Sequence, residues 1–338
     1  MRMDGRKATR DVIAIGASTG GVEALMQLMR ALPADLPASV CIVLHVGAVS
    51  HLAGILDRAS PLPVKDARNG ERLERGRILV APPNVHMLLH DDHVLLRRGP
   101  RENLARPAID PLFRSAAASF GARVIGVVLT GALNDGTAGL RAIKRCGGIA
   151  VVQDPRDAAV PDMPASARKH VAIDHCVPIA AMGDLLVRLS AEPAGESQET
   201  PWEVKLEAAI AAQEVMDMQS NDRLGAPSRF TCPECHGVLW EIRDGDLLRF
   251  RCHVGHAFTA DIALNAEDSE SENLLWKLLR SHEERAALAR RMAEREQRNA
   301  RLSSQLRGRA EEYEEDAAII RQLLKAEPQA REAAPAQD

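Results

Sequence analysis

The 338-residue chain is longer than one ordinary core, which predicts two or three units, and its 46% hydrophobic and 27% charged residues fit a globular protein. No apolar run reaches the ~18 residues of a membrane-spanning helix, and residues 1–10 lack the apolar stretch and small-residue cleavage site of a secretion signal, so a cytoplasmic protein without membrane insertion is expected. The net charge of −4 hides an asymmetry: residues 1–190 carry 24 Lys and Arg against 18 Asp and Glu, whereas residues 191–338 carry 19 against 29, and the acidic second part argues against general nucleic-acid binding.

From Asp11 to Leu189, strand-like and helix-like segments alternate, the pattern of βαβ units. The fold class expected is α/β, a doubly wound, mostly parallel sheet. Short apolar runs at 12–15, 40–44, 124–129 and 149–152 read as strands buried on both faces, and 22–32, 108–120 and 137–145 read as helices. Between them, 77–80, 85–89 and 93–96 are separated by Pro82-Pro83 and Asp91-Asp92 and are predicted to form an antiparallel hairpin appended to the main sheet.

The stretch 191–201 is rich in Glu, Ser, Pro and Gly without hydrophobic periodicity and reads as a linker. A short helical approach follows over 202–230, then a cysteine cluster over 231–262. Residues 268–325 are rich in Glu, Arg, Ala and Leu and read as one or two long helices. With Leu274 and Leu278 at heptad core positions, the next core positions include Arg285, Leu288, Met292, Arg295, Leu302, Leu306, Arg309 and Ile320. Nine of the fifteen are apolar, too few for a coiled coil, so a helical hairpin is predicted. The expected units are the α/β domain at 1–190, a linker and short helix at 191–230, the cysteine-cluster unit at 231–262, and a helical segment with a disordered tail at 263–338.

Three strand ends carry chemistry. Ser18 lies in Gly16-Ala17-Ser18-Thr19-Gly20-Gly21, where Gly-x-Ser-x-Gly between a strand and a helix describes a sharp turn that exposes the hydroxyl. The N–H of Thr19 would then be free to bind an oxyanion. A phosphate-binding turn is the competing reading, but serine replaces the middle glycine that close pyrophosphate approach needs, and the second strand ends in Leu44-His45 without a ribose-binding acid. A serine hydroxyl needs a base, and among 11 histidines His45 directly ends a buried strand; His86, His90 and His93 fall on the hairpin, where surface or edge positions are the default. Asp135 follows the strongest apolar strand and could orient the imidazole, with Asp110, Asp154 and Asp157 as alternatives.

These residues resemble the catalytic domain of bacterial chemotaxis protein-glutamate methylesterases, the CheB family, from about Asp11 to Leu189. The landmarks are Ile15-Gly16-Ala17-Ser18-Thr19-Gly20-Gly21, Ala81-Pro82-Pro83, the run from Arg106-Pro107 to Ala116-Ala117, Gly126-Val127-Val128-Leu129-Thr130-Gly131, Asp135-Gly136 and Met163-Pro164. The resemblance implies Ser18 as nucleophile, His45 as general base, Asp135 as its orienting acid, and N–H groups of Thr19 and the Ala132 region as the oxyanion site. It implies hydrolysis of glutamate γ-methyl esters on the cytoplasmic helices of methylated chemoreceptors, releasing methanol, and glutamine deamidation, with no catalytic cofactor.

Three departures from the family pattern stand out. Its Gln-His-Met becomes Leu44-His45-Val46, and its Thr-Gly-Met-Gly-x-Asp-Gly becomes Thr130-Gly131-Ala132-Leu133-Asn134-Asp135-Gly136, so Leu133 is strained if that position needs φ > 0. The receiver domain that precedes the catalytic unit in phosphorylation-regulated members has no counterpart in the few residues before the first strand. Regulation is then expected from the C-terminal extension or another chain.

Cys232-Pro233-Glu234-Cys235, sixteen residues, then Cys252-His253-Val254-Gly255-His256 has the form of a zinc ribbon. His256 is the better fourth ligand, because adjacent residues such as Cys252 and His253 rarely aim at one ion. Strand-like 238–242 and 247–251, turning at Asp244-Gly245-Asp246, would bring the two halves together; a redox Cys-x-x-Cys and a metal-free hairpin are the alternatives. Such a unit could dock on the oppositely charged catalytic part in place of a receiver, or bring a signalling partner through the long helices. The rival functional class is an adaptor that keeps the esterase fold without efficient catalysis.

Overall fold

The computed structural model describes residues 8–45, 47, 50–214, 219–296 and 299–326. Val46 and the expected disordered tail from residue 327 lie outside the described residues. The first part runs β1 (Val12–Ala17), α1 (Gly21–Ala31), β2 (Ser39–Leu44), α2 (Leu52–Asp57), β3 (Val64–Asp66), β4 (Ile78–Val80), β5 (His86–His90), β6 (His93–Arg97), α3 (Ile109–Phe120), β7 (Val124–Val128), α4 (Thr137–Arg145), β8 (Ile149–Gln153), α5 (Asp162–His170), β9 (His175–Val177) and α6 (Ile179–Ala191). Then come α7 (Trp202–Ala211), α8 (Gln219–Leu224), β10 (Gly225–Thr231), β11 (Val238–Asp244), β12 (Leu247–Cys252), β13 (Ala257–Thr259), α9 (Ala260–Arg295) and α10 (Ala300–Ala326).

The main sheet has the order β3-β4-β2-β1-β7-β8-β9, and every neighbouring pair is parallel. Burial on both faces explains why its strands read as unbroken apolar runs. Ile13, Ile15 and Ala17 face α1, α2 and α6 in one core, while Val12 and Ala14 face α3, α4, α5 and the β5–β6 ribbon in the other. The strand order reverses at β1, with β2 on one side and β7 on the other. That is where a doubly wound sheet opens a crevice beyond its carboxyl ends.

Two sequence expectations need correction. Residues 77–80 do not belong to the antiparallel hairpin: Ile78–Val80 is buried between β2 and β3 as a parallel strand, and of the three expected segments only β5 and β6 pair with each other antiparallel. Three apolar residues are equally suited to either sheet, so only the tertiary partner decides. His86 is also no surface residue: it is buried, with Nε2 2.8 Å from the Pro100 carbonyl and Nδ1 accepting from Ala108 N–H.

The described residues up to Ala263 form one compact unit, and those from Leu264 onward a second. Within the first, α7 packs on α3, and β10 to β13 form a four-stranded antiparallel sheet. β11 and β12 are the two strands expected there, while β10 and β13 extend the sheet on both sides. A buried ion network joins three elements: Arg114 of α3 pairs with Glu102 and Glu207, Arg249 of β12 holds Glu207 at 2.5 Å, and Arg251 reaches both Glu102 and Glu207 at 3.3 Å. Desolvation opposes charge on Glu207, but Arg249, Arg114 and Arg251 outweigh it and hold the carboxyl below its ordinary range. Removing one member of such a set costs about 3–5 kcal/mol, so the network fixes how α7 and the second sheet dock on α3.

In the second unit, α9 and α10 form the expected antiparallel hairpin, cross-linked by Arg290–Glu314 at 2.6 Å and Arg321–Glu283 at 2.5 Å. Its seam keeps only part of the expected heptad register, Leu306 and Ile320 among it. Leu279, Ala286, Ala289 and Ala293 are buried, together with Leu306, Ala310, Ala317 and Ile320, whereas Leu274, Leu278, Leu288 and Met292 are exposed. Alanines let the two helices approach closely, which a leucine-based heptad assignment overlooks.

Candidate active site

The register places Ala17 opposite Leu44 and Gly16 opposite Val128, so the chain leaves β2, β1 and β7 at one level. Ser18 and His45 directly follow their strands, and Asp135 lies in the loop before α4. His45 Nδ1 is 3.2 Å from Ser18 Oγ, and His45 Nε2 is 2.7 Å from Asp135 Oδ2. With Nε2–H donating to the carboxylate, Nδ1 is the basic nitrogen that faces the hydroxyl. Asp154 and Asp157 are taken up elsewhere: Asp154 pairs with Arg156, and Asp157 accepts from Gln153 and from Ile179 N–H.

The serine turn is held from several sides. Ser18 N–H donates to the Thr130 carbonyl at 3.0 Å, and His45 N–H to the Ala17 carbonyl at 3.2 Å. The Thr130 hydroxyl donates to the Thr19 carbonyl and accepts from Val160 N–H. Gly20 has φ +76°, and a Cβ at Gly131 would stand 2.8 Å from Ser18 Cβ; both glycines are therefore required by the turn. Among the described residues, the N–H groups of Thr19 and Ala132 donate to no protein acceptor. Free N–H donors in the residue after the serine and in the loop after β7 are the kind of group an oxyanion site would use.

Burial should raise the Asp135 carboxyl, yet the hydrogen bond from His45, Ile109 N–H and the Asn103 amide hold it below its ordinary range. The donors are close: Ile109 N–H at 2.7 Å, Asn103 Nδ2 at 2.7 Å and Gly136 N–H at 2.9 Å. Asp110, an alternative acid on sequence grounds, sits behind Asp135 instead of reaching His45, and Asn103 Nδ2 also donates to it at 2.9 Å. Desolvation, then the Asp135 charge, pushes the Asp110 carboxyl from 3.8 up to about 7. An acid raised in this way holds its proton more tightly when folded, so stability falls as pH rises through that window and levels off above it. Asp110→Asn is expected to remove that slope. Melting temperatures measured from pH 4 to 8 should converge with wild type at the acid end and diverge toward neutrality, and parallel curves would refute the assignment.

Leu133 has φ +62°, so the position does require the left-handed backbone that a glycine adopts freely. Its side chain packs on the second sheet's core of Leu239, Phe250, Phe258 and Ile262. The left-handed conformation costs a non-glycine residue about 1–2 kcal/mol, comparable to what half-burying a leucine returns. Leu133→Gly loses packing but relieves strain, whereas Leu133→Ala loses packing and keeps it. In denaturant titrations the alanine variant is therefore expected to be less stable than the glycine variant by about 1 kcal/mol.

His45 lies between two openings. One, of about 670 Å³, is lined by Asn84, Arg101, Asn103 and Arg106; the other, of about 370 Å³, by Ser18, Thr19, Leu44, His51 and Ile55. A second constellation lies in the sheet of β10 to β13. The Sγ atoms of Cys232, Cys235 and Cys252 and a ring nitrogen of His256 all fall within 4.8 Å of one another, so the structure gathers the four residues expected from their spacing.

A family model for CheB methylesterase matches residues 13–186. The chain belongs to the CheB methylesterase family. It is 42% identical over 176 residues to a protein-glutamate methylesterase/protein-glutamine glutaminase of Anaeromyxobacter dehalogenans, covering 52% of each protein. A relative from Leptospira interrogans is 38% identical over 182 residues, 53% of this chain and 94% of that one. The crystal structure of the Thermotoga maritima CheB methylesterase catalytic domain superposes with a TM-score of 0.51 at 32% identity, covering 53% of this chain and 98% of that one. These matches account for the α/β sheet and its crevice, and they leave the residues after α6 to be read from their own chemistry. Sequence reasoning missed Asn103 and Asn134, which carry no motif and matter only through what they touch.

Proposed function

We propose that this CheB-family chain hydrolyses glutamate γ-methyl esters on protein helices. The observation that carries the reading is the His45 ring bridging Ser18 and Asp135 at the carboxyl ends of a parallel sheet. His45 Nδ1 takes the Ser18 proton as Oγ attacks the ester carbonyl, and Asp135 stabilises the imidazolium through Nε2–H. The N–H groups of Thr19 and Ala132 receive the oxyanion. The proton passes from His45 to the departing methoxide, and methanol leaves an acyl group on Ser18. Water, deprotonated by His45, then releases the glutamate carboxylate. A side-chain amide in the same place would release ammonia, which is the glutaminase half of the relatives' names.

Cytoplasmic chemoreceptor helices are the substrate class this reading takes from the family resemblance. Arg101 and Arg106 on the cleft wall suit the acidic surroundings of a modified glutamate. No described helix is long and apolar enough to cross a membrane. The test is methanol release from a receptor fragment carrying glutamate methyl esters. Steady release supports the reading, while no release, with Ser18 untouched by a fluorophosphonate probe, favours the adaptor.

Zinc is the metal proposed for Cys232, Cys235, Cys252 and His256. Cys235 Sγ and Cys252 Sγ are 3.7 Å apart, and His256 Nδ1 lies 3.6 Å from Cys232 Sγ and 3.5 Å from Cys252 Sγ. Zn–S bonds of about 2.3 Å and Zn–N bonds of about 2.0 Å give a tetrahedron with edges near these lengths. Four protein ligands leave no open position, so the ion's role is structural and catalysis runs without it.

A further inference from the structure

The second sheet is built into the support of the catalytic acid. β13 begins directly after His256 and meets the loop before α3: Asn103 N–H donates to the Ala257 carbonyl at 2.8 Å, and Thr259 N–H donates to Asn103 Oδ1 at 3.4 Å. The same Asn103 uses its amide nitrogen to donate to Asp135 Oδ1 at 2.7 Å. On the other side, the Thr259 hydroxyl donates to Asn134 Oδ1 at 2.6 Å, and Asn134 Nδ2 donates to Asp261 at 2.9 Å. The residue before Asp135 and the amide that grips its carboxylate are thus both held by residues 257–261.

The backbone shows why such support is needed. Asn103, Leu104 and Leu133 all have positive φ, at +52°, +62° and +62°, without being glycine. Such backbone persists only where surrounding contacts over-determine it. Those contacts come from the second sheet: Leu104 and Leu133 pack on its core, Asn103 bonds β13, and Glu102 pairs with Arg251 of β12. Cys232 and Cys252, two of the four clustered ligands, belong to that core.

We propose that the Cys/His ribbon is an in-cis positioning element for the esterase site: through Thr259, Asn134 and Asn103 it holds Asp135 where His45 needs it, making Ser18 reactivity depend on the ordered ribbon. The proposal rests on the esterase reading given above. Asn103 and Thr259 are positioning residues, since they act through the Asp135 carboxylate and through Asn134 beside it.

The test measures acylation of Ser18 by a fluorophosphonate in the full zinc-loaded chain, which needs no receptor. Thr259→Val keeps the side chain's shape and removes its donated hydrogen bond; Asn103→Ala removes the grip on Asp135. Loss of a hydrogen bond to a buried carboxylate is expected to slow acylation by about 10- to 100-fold for Asn103→Ala, and the change at Thr259, one bond further back, by about 3- to 10-fold. On an ester substrate the loss should fall in kcat with KM little changed. The downfield proton resonance of His45 Nε2–H should move in both variants. Zinc stripping should reproduce the Asn103→Ala loss and zinc addition should reverse it. If the stripped chain fails to refold, Thr259→Val decides, with zinc content and melting temperature confirming an intact fold. Wild-type acylation rates and an unmoved resonance in Thr259→Val and Asn103→Ala overturn this inference alone. A wild-type chain that the probe does not acylate overturns the esterase reading and this inference with it.

Discussion

Ser18→Ala is expected to lower methanol release from a methylated receptor fragment by at least about 10⁴-fold, with far-ultraviolet circular dichroism unchanged. The hydroxyl faces His45 Nδ1 at 3.2 Å, and alanine removes the nucleophile while leaving the turn's backbone bonds, including Ser18 N–H to the Thr130 carbonyl, in place. His45→Ala should cost a similar factor, because an unactivated serine attacks an ester poorly. The double variant should be little worse than either single one, since both remove the same step. What remains above the uncatalysed rate would come from the free Thr19 and Ala132 donors. Retention of even a tenth of wild-type turnover by Ser18→Ala would remove it from the mechanism.

Removing zinc is expected to unfold the sheet of β10 to β13. Its core around the cysteines consists of Leu239, Phe250, Phe258 and Ile262 with the two buried thiols of Cys232 and Cys252, and its other contact, Ile242 on Leu206 and Leu224, is small, which is little for ordering about forty residues. Structural zinc supplies about 10–16 kcal/mol in comparable small units at neutral pH, enough to decide whether such a sheet forms. Cys235→Ser or a strong chelator should therefore expose Trp240, now buried and bonded to Asp222, and shift its fluorescence to longer wavelength. Amides of β11 and β12 should then exchange with solvent rapidly. A purified chain that holds no stoichiometric zinc, with these amides protected all the same, would rule out the metal's structural role.

How much of this could be read beforehand depended on the range of the interaction. The βαβ alternation was legible because parallel strands buried on both faces leave uninterrupted apolar runs, as in β1, β2 and β7. The Cys/His cluster is legible because Cys232, Cys235, Cys252 and His256 have the spacing along the chain that chelation demands. Ile78–Val80 was assigned to the wrong sheet because three apolar residues carry no record of their partner. The helical seam is legible only in part: Leu306 and Ile320 lie in it, but Ala286, Ala289, Ala293, Ala310 and Ala317 fill most of the rest in place of Leu274, Leu278, Leu288 and Met292.

The sequence by itself determined the turn that presents Ser18, the strand that ends in His45, the loop that carries Asp135 and the spacing of Cys232, Cys235, Cys252 and His256, since each follows from local backbone chemistry. Only the tertiary structure decided that Asp110 stands behind Asp135 without reaching His45, and that Leu133 is strained at φ +62° against the ribbon core. The same holds for Asn103, tied to Asp135 at 2.7 Å and to β13 at 2.8 Å. The physical reason is that hydrogen bonds across 32 to 156 residues leave no periodicity or spacing in the chain; they exist only once burial has brought their partners together.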